Sequence, residues 1–178
     1  MEIEILLRWI HFLSGITWIG LLYYFNFVQV PGMAAATADA GGPGPSAIGK
    51  YIAPRALWWF RWGAVVTWLS GAALLAHLPY FAGPETNGFV NVMTLGYLSG
   101  MHTTQIVAFG IGAWLATIML INVWGPIWQN QKKILGLKPA TPEEITRAKR
   151  VAFLASRSNV VMSIAMLLFM GAMHGLLF

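Results

Sequence analysis

The fold is decided by residues 5–30, ILLRWIHFLSGITWIGLLYYFNFVQV, an apolar run whose only charged residue is Arg8 and whose only histidine is His11. About 20 such residues cross the hydrocarbon core of a bilayer, and a helix satisfies every backbone polar group within the segment. Three more apolar segments follow, at about 57–81, 100–128 and 151–177. Glu2 and Glu4 stand where a cleaved signal would carry basic residues, and the run exceeds a signal's apolar core of about 7–15 residues, so it reads as a retained span. Between the first two segments, Pro31 to Ser46 is rich in Gly, Pro and Ala and reads as a flexible loop. Ahead of the last, Thr141-Pro142-Glu143-Glu144 has the order of a helix start: a cap, a proline in the first turn, then acids.

Composition agrees. Of 178 residues, 57% are hydrophobic and 10% charged, with a mean hydropathy of +0.64. Water-soluble domains carry roughly 25% charged residues, so a soluble enzyme domain is excluded, and the placement of the basic residues argues against a nucleic-acid binder. With no cysteine there is no disulfide framework, thiolate metal site or covalently attached haem. The expected fold is an all-α integral membrane protein, one domain over 1–178 forming a four-transmembrane-helix up-down bundle. Ten of the 11 basic residues flank two connections: Lys50, Arg55 and Arg61 the first, and Lys132, Lys133, Lys138, Arg147, Lys149, Arg150 and Arg157 the last. The middle connection, Ala82 to Ser99, has none. The positive-inside rule makes the basic connections cytoplasmic and puts the N- and C-termini outside, with the membrane crossed several times.

Each expected span then carries one histidine, His11, His77, His102 and His174, all in the outer half of the membrane. Ionisable groups at that depth are costly and usually face a bundle interior or cavity. Helical spacing puts Arg8, His11, Gly15 and Trp18 on one face, Gly63, Thr67, Ser70, Leu74 and His77 on another, and Asn159, Ser163, Met166, Met170 and His174 on a third. The plain reading of such stripes is helix packing through small residues. The functional reading is haem b between two imidazoles, with Trp9, Trp18 and the last span's methionines as walls and Arg8 as a cation for the propionates. Its rival is copper or zinc on three or four histidines, for which the spans offer no supporting carboxylate. Trp58, Trp59 and Trp62 with Arg55 and Arg61 read as an interfacial belt, as do Trp124 and Trp128 before Lys132 and Lys133. Gly110 to Ala116 reads as a helix contact surface.

Four stretches carry a family likeness. They are Arg8-Trp9-Ile10-His11 with Ile16-Thr17-Trp18-Ile19-Gly20, and Trp59-Phe60-Arg61-Trp62 with Thr67-Trp68-Leu69-Ser70-Gly71. The third is Ala116-Thr117-Ile118-Met119 with Asn122-Val123-Trp124 and Gln131-Lys132-Lys133; the last is Arg157-Ser158-Asn159 with Met162-Ser163-Ile164 and His174. In this order they resemble the membrane domain of the bacterial urate hydroxylase family, the urate oxidase N-terminal domain, in a short form without the cytochrome c domain. In that family the membrane part is joined to a c-type cytochrome through which electrons from urate leave. Gly63 stands where the family carries an acid. The first-span motif is also similar to the small four-helix protoporphyrinogen oxidases, which bind haem through a first-span histidine.

Together these readings describe a haem-b-binding electron-transfer or accessory subunit of a respiratory or photosynthetic complex, rather than a catalyst. His11 and His174 are the expected axial ligands of the iron, Arg8 and Trp18 line the cofactor, and His77 and His102 could hold a second haem, bind quinol or a metal, or play no part. Its partners would be the lipid bilayer, other membrane subunits, and a periplasmic cytochrome c or quinol, with no nucleic acid. The alternatives are urate hydroxylase-like oxidation of a small reductant, and a cofactor-free structural membrane subunit.

Overall fold

The computed structural model describes residues 2–171, and among these every regular element is helical. Helix α1 (Glu2–Tyr23) passes through a π turn (Tyr24–Gln29) into α2 (Val30–Ala38). After a second π turn (Ile48–Ile52) comes α3 (Ala53–His77), then the short α4 (Gly88–Met93). Helix α5 (Thr104–Asn122) continues through a π turn (Val123–Ile127) into α6 (Trp128–Ile134), and α7 (Pro142–Met170) ends the described chain. Three stretches, Glu2–Ala38, Thr104–Ile134 and Pro142–Met170, are long and apolar enough to cross a membrane. The second expected span does form a helix, α3, but it is not among these three. Arg55, Arg61 and four tryptophans lower its hydropathy without shortening it.

One expectation needs correction. The segment Pro31 to Ser46 is not one loop, because α2 carries the helix on to Ala38. A proline inside a helix loses its bond to the i−4 carbonyl and collides with that carbonyl. Here a π turn ends just before Pro31, and Pro31 takes the early-turn position that tolerates it, followed by alanines of high helix propensity. Pro126 likewise sits within a π turn, whose extra residue absorbs the mismatch. The middle connection is also ordered. Asn87 caps α4 by accepting from the Val90 N–H at 3.0 Å. Asn91, fully buried, donates to the Phe81 carbonyl at 2.9 Å and accepts from the Ser99 hydroxyl.

The expected helix start at Thr141 is present as a capping box. The Thr141 hydroxyl accepts from the Glu144 N–H at 3.2 Å, and the Glu144 carboxylate accepts from the Thr141 N–H at 3.1 Å.

The chain divides into two compact units. One comprises Val65–Leu120 with the start of α1, to Ser14, and the end of α7, from Val161. Its core is Phe81, Val92, Ile106 and Ala113, with Phe109 against Phe81 at a 5.0 Å ring separation. The other comprises Gly15–Ala64 and Ile121–Val160. Trp18, Leu22, Phe60 and Val123 are its most enclosed large apolar side chains. Two polar bonds tie its helices: Asn26 Nδ2 donates to Ser156 Oγ at 2.7 Å, and Asn122 Nδ2 to Asn159 Oδ1 at 2.9 Å.

Candidate functional site

Helix α1 presents His11 and α3 receives it. The imidazole is half-buried, and its Nδ1 lies 2.8 Å from the Thr67 carbonyl oxygen. A carbonyl only accepts, so in the neutral ring Nδ1 carries the proton and Nε2 keeps a lone pair. No described residue hydrogen-bonds to Nε2. The ring lies across Gly71, where a Cβ would stand 2.8 Å from His11 Cε1 and 3.0 Å from Nδ1. Gly71 is one turn beyond Thr67, so the accepting carbonyl and the space for the ring belong to one face of α3. An imidazole that ligates a metal usually donates its other N–H to a carbonyl or carboxylate, which fixes both tautomer and orientation. The Thr67 carbonyl does this for His11. Ser14, the nearest hydroxyl on α1, instead turns back to the Ile10 carbonyl at 2.6 Å.

None of the other expected site residues that the structure describes takes part in this contact. Arg8 is exposed one turn earlier on α1. Trp18 belongs to the other unit and is 1% exposed, its Nε1 buried without a partner. His77 is exposed, with Nδ1 2.9 Å from the Ala73 carbonyl of its own helix. His102 is exposed ahead of α5, with Nδ1 3.3 Å from the Leu95 carbonyl and its ring edge-on to Tyr97 at 4.5 Å. His174 lies outside the described residues. Among those described, no three His, Cys, Asp or Glu side chains gather as a metal-binding group, so the three-histidine copper or zinc site is not formed there.

Sequence reasoning missed Arg61. Trp58, Trp59, Trp62 and Arg55 are exposed, as an interfacial belt requires, but Arg61 is only 9% exposed. Its guanidinium carbon stands 3.4 Å from the Trp128 ring centre and 5.8 Å from that of Trp124. The signal was present in the spacing. Leu57, Phe60, Arg61 and Ala64 fall at i, i+3, i+4 and i+7 of α3, and all four are buried.

No curated protein and no solved structure matches the chain. The family model described as urate oxidase N-terminal matches residues 2–96, just over half of the chain. The match takes in His11, the Thr67–Gly71 turn that receives it, and Arg61; the similar stretches in 116–133 and 157–174 lie beyond it. The likeness read from Arg8–His11 and Trp59–Trp62 thus holds over α1 to α4, and the chain belongs to the urate oxidase N-terminal family.

Proposed function

We propose that this chain is a haem-b-binding membrane subunit that transfers electrons, or supports their transfer, within a redox complex. The observation that carries the reading is the His11 Nδ1 contact with the Thr67 carbonyl, which leaves Nε2 as an unclaimed lone pair. Bound haem b supplies a reversible one-electron iron couple. The chain's own residues hold and orient it. His11 would hold the iron through Nε2, the Thr67 carbonyl fixes the ring's tautomer and orientation, and Gly71 leaves room for the ring. Arg8 offers a propionate partner on the same helix. His174, four residues after Met170 in the sequence, would supply the second ligand through its match to the family motif.

The reading includes a topology. Helix α3 acts as a second span beside the three longer apolar stretches, with both termini outside a bacterial cytoplasmic membrane. The charge distribution supports this. Gly15–Ala64 and Ile121–Val160 contain every basic residue except Arg8. Other membrane subunits, with a periplasmic cytochrome c or quinol, would complete the electron path.

Dithionite-reduced minus oxidised spectra of four purified histidine-to-alanine variants test the assignment. The α-band should be lost in His11→Ala and His174→Ala and retained in His77→Ala and His102→Ala. The reverse pattern would move the haem to the other pair of histidines, and an unchanged band in all four would remove the haem reading.

A further inference from the structure

Among the described residues, Arg61 is a buried cation without a counter-charge. The one ion pair among the described residues, Lys133 with Glu144 at 3.3 Å, does not involve it. No described residue accepts a hydrogen bond from its guanidinium, and its Nε is sealed from solvent without a partner. Trp128 lies over the cation at 3.4 Å. Such a contact favours the charge but leaves unsatisfied the N–H donors, which point outward in the guanidinium plane. Trp124, 5.8 Å away, also has its ring N–H buried and unpartnered. A planar fork of donors with no carboxylate paired to it has the chemistry of an oxyanion receptor.

Its surroundings select the anion. The unit that holds Arg61 contains ten basic residues and three acids, Asp39, Glu143 and Glu144, a balance of +7. The other unit contains Arg8 against Glu2, Glu4 and Glu85, a balance of −2, and the two sum to the chain's +5. Exposed Trp58, Trp59 and Trp62 bracket Arg61 on α3, as residues at headgroup depth do. At that depth, beside concentrated positive charge, the abundant oxyanion is a phospholipid phosphate. We propose that Arg61, through the terminal nitrogens of its guanidinium, is a receptor for the phosphate of an anionic phospholipid. The site is independent of the haem reading.

The test compares thermal unfolding of the full chain in vesicles of phosphatidylcholine alone and of phosphatidylcholine with about 30% phosphatidylglycerol. The wild-type midpoint should rise in the anionic vesicles. Arg61→Gln should lose that rise, and Lys149→Gln, which removes an exposed charge, should keep it. An undiminished rise in Arg61→Gln would overturn the proposal, because the remaining basic residues would then account for it. So would a rise reproduced in neutral vesicles by inorganic phosphate, which would make the site one for a soluble phosphate. Should Arg61→Gln fail to fold, Arg61→Lys keeps the charge but not the fork and should show a reduced rise. Phosphorus analysis of the wild type, washed in detergent until bulk lipid is gone, supplies the other measurement. Retained anionic lipid is expected, and none retained would overturn the assignment.

Discussion

Adding a methyl group at Gly71 perturbs the His11 contact without altering either partner of its hydrogen bond. The new Cβ would stand 2.8 Å from His11 Cε1, about 0.7 Å short of an ordinary carbon–carbon contact of about 3.5 Å. If the ring holds its place, overpacking strain of about 1–3 kcal/mol follows. If it swings away, the bond to the Thr67 carbonyl is lost at about 0.5–1.5 kcal/mol. Opposing either, alanine is favoured over glycine inside a helix by roughly 1 kcal/mol. The net change in Gly71→Ala alone is therefore small and a poor diagnostic. The coupling is diagnostic, because helix propensity cancels in a double-mutant cycle with His11→Ala. Gly71→Ala should change the wild type little yet be stabilising once the imidazole is gone, a coupling of about 0.5–1.5 kcal/mol. Reversible unfolding of the four proteins in mixed micelles, followed by far-ultraviolet circular dichroism, measures it. Additivity within about 0.3–0.5 kcal/mol would refute the packing of His11 on Gly71.

Asn159→Leu removes the buried acceptor of the 2.9 Å bond from Asn122 and should destabilise by about 0.6–1.7 kcal/mol, read from a cycle with Asn122→Ala. Thr141→Ala removes the hydroxyl of the α7 capping box and should lower stability by about 0.5–2 kcal/mol in chemical denaturation, leaving any haem spectrum unchanged. The chain has no native cysteine, so Thr86→Cys and Lys138→Cys can each serve as a single label site. Impermeant maleimide added outside cells should reach the first and not the second, and labelling of both would contradict the proposed topology.

The helices were legible where periodic burial or capping chemistry sets them. Thr67 and Ser70 of α3, and Asn159, Ser163 and Met166 of α7, are buried as the small-residue stripes predicted. Thr141 caps α7 because hydroxyl, proline and acid stand in the required order. Helix α2 was hidden by Pro31, since local rules end a helix there and the compensating π turn has no sequence signature. Helix α4 is too short for a period to register, and Asn91 finds its partner in a backbone carbonyl. The receiver of His11 was invisible for the same reason, because a carbonyl belongs to every residue and Gly71 was the one clue. Arg61 was read from its charge rather than its position, and the ring that covers it, Trp128, comes from a helix far along the chain.

The central claim is that His11 Nε2 ligates haem iron, and chemical rescue tests it most directly. The chain, purified from haem-deprived cells, is titrated with haemin as wild type and as His11→Ala, each with and without free imidazole. Wild type should form a six-coordinate low-spin spectrum. His11→Ala should fail to form it, and imidazole filling the vacated space should restore it. A low-spin spectrum formed equally by His11→Ala without imidazole, or no haemin uptake by the wild type, would contradict the account.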